Sequence, residues 1–71
     1  MNAVENTVRE WLQIVRGEFS EIPGLHLTRV QIQRLWGLDS PTCDAVLEAL
    51  LNDRFLRRTK NGAYVRDDLG R

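Results

Sequence analysis

Residues 54–66 hold Arg54, Arg57, Arg58, Lys60 and Arg66 and no acid. Cations at this density suit phosphate contact. Each one that neutralises a backbone phosphate releases condensed counterions, and the local field sets the attraction rather than the net charge. Phe55 and Tyr64 interleave with them, and aromatic faces attract guanidinium groups. The rest of the chain runs the other way. Residues 1–53 carry four Arg against eight acids, the tail 67–71 adds one further net negative charge, and the whole sums to zero. Asp44 and Glu48 stand out, because no Lys or Arg occurs between Arg34 and Arg54. Carboxylates repel phosphates, although they can accept from cytosine N4. The plainest use of such a distribution is a solvated, mixed-charge surface.

No catalytic constellation accompanies these charges. One Cys and one His exclude an internal disulfide and an ordinary structural zinc site within one chain. His26 lies in a short alternating segment, Leu25-His26-Leu27, and is expected at the surface. Cys43 lies in an apolar helical stripe and is expected to be buried and inert. There is no phosphate loop and no paired-carboxylate pocket. The expectation is a non-enzyme without a cofactor. No run approaches about 18 apolar residues and the start lacks a basic-then-apolar pattern, so a cytoplasmic protein with no membrane partner is expected.

The elements that must position these residues can be read from period and punctuation. Seventy-one residues suit one domain, which buries only about 60% of the surface its unfolded chain exposes. Val4, Val8, Trp11, Leu12, Val15 and Phe19 form one stripe of a first helix over about 3–21, with Asn2 and Glu5 as a capping pair and Pro23-Gly24 as its end. Ile14 lies off that stripe, as an exposed residue or a homodimer contact. Leu25 to Leu27 suggests a short strand beside a later hairpin. Thr28 and Gln31 form a capping box for a second helix to Trp36, which Gly37 ends. Asp39 or Ser40 caps a third helix to about Asn52, with Pro41 at its first position. Asn61-Gly62 predicts a two-residue type I′ hairpin pairing Lys60 with Ala63, Thr59 with Tyr64, Arg58 with Val65 and Arg57 with Arg66. In that register Leu56 and Val65 face the core, whereas Phe55, Arg57, Thr59, Tyr64 and Arg66 face solvent. The expected core adds Val8, Leu12, Val15, Ile32, Leu35, Trp36, Leu38, Cys43, Val46, Leu47 and Leu50. The tail 67–71 is expected to fray.

Ile32, Trp36, Leu38, Cys43 and Val46 surround the turn residue Gly37, and a basic Asn-Gly hairpin follows. On these residues the chain resembles winged helix-turn-helix proteins, including small bacterial DNA-binding regulators, over about residues 25–66. The resemblance implies an α+β winged helix as a single domain 1–71: a three-helix core with its helix-turn-helix at about 28–53, and a C-terminal β-hairpin wing at about 54–66. It implies double-stranded DNA binding and transcription regulation, with the third helix in the major groove and the wing on the backbone. The implied contacts are Ser40 and Thr42 from the third helix, and Thr28, Arg29 and Arg34 from the second, whose N-terminal N–H groups can meet a phosphate. Arg57, Arg58, Lys60, Tyr64 and Arg66 follow from the wing. Two residues depart from the family pattern. Gln33 stands where a small residue lets the helices approach, and Arg54 stands where Gly precedes the wing. A second use fits the same charges: a winged helix that binds protein, its acidic third helix meeting a basic partner or its basic wing an acidic one.

Overall fold

A computed structural model describes residues 3–67, with side chains from residue 7 onward. The elements are α1 (Ala3–Glu21), β1 (Leu27–Thr28), α2 (Arg29–Trp36), α3 (Ser40–Asn52), β2 (Leu56–Arg58) and β3 (Ala63–Arg66). The architecture is α+β, with three helices and one antiparallel sheet in the order β1-β3-β2. Its core joins Val15 and Phe19 of α1, Ile32 of α2, Leu38 of the turn, Cys43, Val46, Leu47 and Leu50 of α3, and Leu56 and Tyr64 of the sheet.

Helix α1 buries its stripe unevenly. Val15 and Phe19 are fully buried, whereas Val8, Trp11 and Leu12 are half-buried against the same core. Val8 and Leu12 were expected deeper. At 1.5 Å per residue α1 is about 28 Å long and α3 only about 20 Å, so the early turns of α1 overhang their partner. Asn2, the expected cap, lies outside the described residues. After α1, the N–H of Leu25 donates to the Ile22 carbonyl at 3.1 Å, with Pro23 and Gly24 (φ 81) between them. That is the pattern of a type II turn, where the third residue needs the left-handed freedom of Gly.

The chain then enters the short strand β1, which pairs Leu27 with Tyr64 and Thr28 with Ala63. Thr28 is also the cap of α2. Its Oγ1 accepts from the Gln31 N–H at 3.2 Å, and its own N–H donates to Gln31 Oε1 at 2.8 Å. One residue thus ends a strand and opens a helix at a fixed angle. Gly37 (φ 63) closes α2, and the Leu38 N–H reaches back to the Gln33 carbonyl. Leu35 was expected in the core but is 59% exposed. The covered face of α2 carries Arg29, Ile32, Gln33 and Trp36, and at 100° per residue Leu35 falls about 110° from its centre. Gln33, on the opposite flank, is half-buried.

Asp39 caps α3: its Oδ1 accepts from the Thr42 N–H at 2.9 Å. Ser40 is therefore the first helical residue, and Pro41 stands second rather than first. Cys43, Val46, Leu47 and Leu50 fill the inner face, none more than 3% exposed. The far end of α3 turns sharply. The Phe55 N–H donates to the Leu50 carbonyl and the Arg54 N–H to that of Leu51, both at 3.0 Å. These two bonds form a Schellman motif around Arg54, whose φ is 59. A side chain at that left-handed position costs about 1 kcal/mol relative to Gly.

The hairpin differs from its expected form. Leu56 pairs with Arg66, Arg57 with Val65 and Arg58 with Tyr64, one residue out of the predicted register. The loop has three residues rather than two. Thr59 and Ala63 close it through a 2.8 Å backbone bond, the Gly62 N–H returns to the Thr59 carbonyl, and Thr59 Oγ1 accepts from the Ala63 N–H. Gly62 (φ 83) supplies the left-handed residue of a G1-type bulge. Because strand side chains alternate, a one-residue slip exchanges the faces of β3. Tyr64, expected in solvent, is 6% exposed. Val65, expected in the core, is half-buried. Burial of the larger side chain decides between two turns that Asn-Gly serves equally. Asp67, assigned to a frayed tail, continues the pairing through its N–H to the Phe55 carbonyl. Residues 68–71 lie outside the described residues.

Candidate functional site

The cations of residues 54–66 do not stay together. Arg57 is half-buried on β2, and Arg58 and Lys60 are exposed towards the loop. Arg54 and Arg66 lie instead at the base of the hairpin, where β2 leaves α3 and β3 ends. There Arg16 of α1 joins them. Arg16, Asp53, Arg54, Phe55 and Arg66 line a concavity of about 440 Å³. The guanidinium carbons of Arg16 and Arg66 lie 5.4 Å and 5.5 Å from the centre of the Phe55 ring, both within cation–π range. Arg16 also forms an ion pair with Asp53, and its buried Nε has no hydrogen-bond partner.

A different arrangement surrounds the outer face of α3. Arg29, the first residue of α2, donates through Nε to Asp44 Oδ1 at 2.8 Å and through Nη1 to Gln33 Oε1 at 3.3 Å. The bond to Asp44 raises the Arg29 pKa above its ordinary value against the opposing effect of burial. Asp44 therefore has a cation beside it, supplied by a neighbouring helix. Gln33, the departure from the small-residue pattern, is the third member of this cluster. Glu48 lies one turn further on and is exposed. Asp44, Leu47, Glu48, Leu51, Arg58 and Tyr64 line a second concavity of about 270 Å³. Arg58 of the hairpin thus comes alongside the acidic face of α3, with buried Tyr64 beneath them.

The remaining expected contact residues are dispersed. Thr28 Oγ1 is engaged in its capping box. Ser40 is exposed, and Thr42 is half-buried with its N–H committed to Asp39. Bonds from the Thr42 side chain and N–H hold the Asp39 carboxyl below its ordinary pKa. Arg34 is exposed, about 140° around α2 from Arg29, so the two do not act on one surface. Cys43 is buried, and that burial pushes its thiol pKa up. His26 is exposed, with Nδ1 donating to the Gly24 carbonyl.

Tyr64 therefore belongs to the floor of the candidate surface rather than to its edge. Arg66 lies at the hairpin base, paired with Leu56, away from Lys60 in the loop. Arg16 and Asp53 did not figure as a site in the sequence because they are 37 residues apart. The available signal was local: Arg16 adjoins Val15 and precedes Phe19 by three, so it flanks the buried stripe of α1. Among the described residues no helix is long and apolar enough to cross a membrane, and no cluster of three or more His, Cys, Asp or Glu is placed to hold a metal ion. Compared with family models, with curated proteins and with solved structures, the chain finds no match in any of the three.

Proposed function

We propose that this chain is a winged-helix protein that binds double-stranded DNA in the manner of a small transcription regulator, with the hairpin as a wing on the phosphate backbone. The observation that carries the reading is the shared surface of α3 and β2, on which Arg58 stands beside the outer face of the third helix. Lys60 follows in the hairpin loop, and Arg57, next to Arg58 on β2, faces the other side of the sheet. The Arg29–Asp44 ion pair supports it too, because it removes one of the two carboxylates that would repel a duplex. Ser40 and Thr42, at the start of α3, offer hydroxyls for phosphates or base edges.

The test is binding to random-sequence duplex DNA at several salt concentrations. Each phosphate contact contributes a slope of about −0.9 in log K against log salt. Replacing Arg57, Arg58 and Lys60 together by Ala should weaken binding at every sequence and reduce that slope by roughly 2–3. A parent protein with no measurable duplex binding would remove the reading.

One observation favours protein binding as a second reading. The concavity between α3 and β2 mixes Leu47, Leu51 and Tyr64 with Asp44, Glu48 and Arg58. Apolar floors with charged rims of both signs suit a protein partner. Under that reading a duplex-binding slope near zero is expected, and Glu48→Gln weakens the protein complex.

A further inference from the structure

Helix α1 carries a second surface, remote from the groove between α3 and β2. Trp11, Ile14, Glu18 and Ile22 follow one another at steps of three or four residues, so they form one ridge about 16 Å long. Ile22 lies just past α1, and its N–H donates to the Glu18 carbonyl at 3.2 Å, which keeps it on the helix. Ile14 and Ile22 are exposed and Trp11 is half-buried. A single exposed Ile is ordinary, but two on one ridge beside an open Trp edge make a patch. Gly17 lies on the same face. Inside a helix it costs about 1 kcal/mol relative to Ala. Nothing within the chain requires it: a Cβ there would meet no atom within 4 Å, and its φ is not positive. Ile14, Gly17, Glu18 and Glu21 stand at the four corners of a hole of the kind that receives a side chain from a facing helix. With Gly at one corner, that hole is open and a partner's backbone can come close.

The charges on this face select the partner. Glu10, Glu18 and Glu21 surround Ile14, and none of them forms an ion pair among the described residues. Arg9 and Arg16 lie about 140° and 160° around α1 from Ile14, on the far side. A second copy is therefore a poor occupant, since pairing the face with itself sets carboxylates against carboxylates. A basic helix meets both the ridge and the charge.

We propose that this face of α1 docks a basic amphipathic helix of a partner protein. The partner's apolar side chains lie over Trp11, Ile14 and Ile22, with one seated in the hole at Gly17. Its Lys or Arg residues flank that seam and meet Glu10, Glu18 and Glu21. Docking here leaves α3 and the hairpin free, so it stands whether or not they bind DNA.

The probe is a designed helical peptide of about five turns, with Leu along one stripe and Lys elsewhere. It is titrated into the full chain and followed by NMR. Saturable shifts are expected at Ile14, Gly17, Glu18 and Ile22, weakening as salt rises. The same peptide with Glu in place of Lys should not bind. Gly17→Leu fills the hole with a better helix former, so it should melt at a higher temperature and bind the peptide about tenfold more weakly. Replacing Glu10, Glu18 and Glu21 together by Gln should also weaken binding about tenfold and remove most of its salt dependence. The proposal is overturned if the peptide gives no saturable shifts on α1, if the shifts map to Asp44 and Glu48 of α3 instead, or if Gly17→Leu binds as the parent does. Self-association of the free chain with shifts at Ile14 and Gly17 would also overturn it, by giving the face to a second copy.

Discussion

The two ends of α3 are each tied to another helix by an Arg–Asp pair, and they differ in what surrounds the pair. Near the N-terminus, Arg29 of α2 meets Asp44 and Gln33, and the cluster is neutral. At the C-terminus, Arg16 of α1 meets Asp53 amid two further arginines and a half-buried ring. The first end closes on itself. The second opens onto a concavity that Arg54, Phe55 and Arg66 also line. The termini of the helix follow the same division. Asp39 caps the N-terminus with a carboxylate where the helix dipole favours one. The C-terminus ends on a strained arginine rather than a glycine. An ion pair therefore says little about a surface until its neighbours are counted.

The largest effects should come from the apolar residues behind each end. Leu38, 6% exposed, seats the turn between α2 and α3, and Leu38→Ala should cost about 3 kcal/mol in denaturant unfolding. Phe55→Ala removes a half-buried ring and both guanidinium contacts, and about 2 kcal/mol is expected. If Phe55→Ala proved the costlier, the hairpin base would be the more tightly packed end and the comparison would reverse.

Arg54→Gly should act in the opposite direction, stabilising the protein by about 1 kcal/mol through relief of the left-handed conformation. Gly37→Ala, at the matching end of α2, should destabilise by a similar amount, since it introduces the strain that Arg54 already bears. Equal and unchanged melting temperatures in both variants would show that neither turn is under conformational control.

A pH titration sharpens the contrast at the N-terminal end. The folded-state pKa of Asp39 lies below its ordinary 3.8. Its cap therefore contributes stability that is fully present above that ordinary value and is lost as pH falls through the lower folded value. Asp39→Ala should lower the melting temperature by a few degrees at neutral pH, and the difference from the parent should vanish in strong acid. A difference independent of pH would mean that the carboxylate is not the cap.

The smallest effect belongs to the ion pairs themselves. A double-mutant cycle on Arg16 and Asp53, both more than a third exposed, should give a coupling of about 0.5 kcal/mol or less that fades with salt. On duplex DNA, Glu48→Gln should tighten non-specific binding more than Asp44→Asn does, because Arg29 already offsets Asp44. The reverse order would mean that the Arg29–Asp44 pair opens when DNA binds.

The sequence by itself determined whatever depends on near neighbours along the chain. The capping box of Thr28 and Gln31, the end at Gly37, the boundaries of all three helices and the inner face of α3 follow from 3.6-residue periodicity and from groups three or four residues apart. The need for a left-handed residue at position 54 was legible too, as a place where Gly is usual. Only the tertiary structure decided the rest. Asn61-Gly62 serves a two-residue or a three-residue loop equally well, so the choice fell to burial of Tyr64 against β1 and the core, which reverses the faces of β3. Leu35 stands in solvent rather than in the core because the direction from which α3 approaches α2 is not written in α2. The partners of Asp44 and Asp53 come from 15 and 37 residues away. No local pattern encodes such pairs, because the chain must first pack its apolar faces before charges so distant can meet.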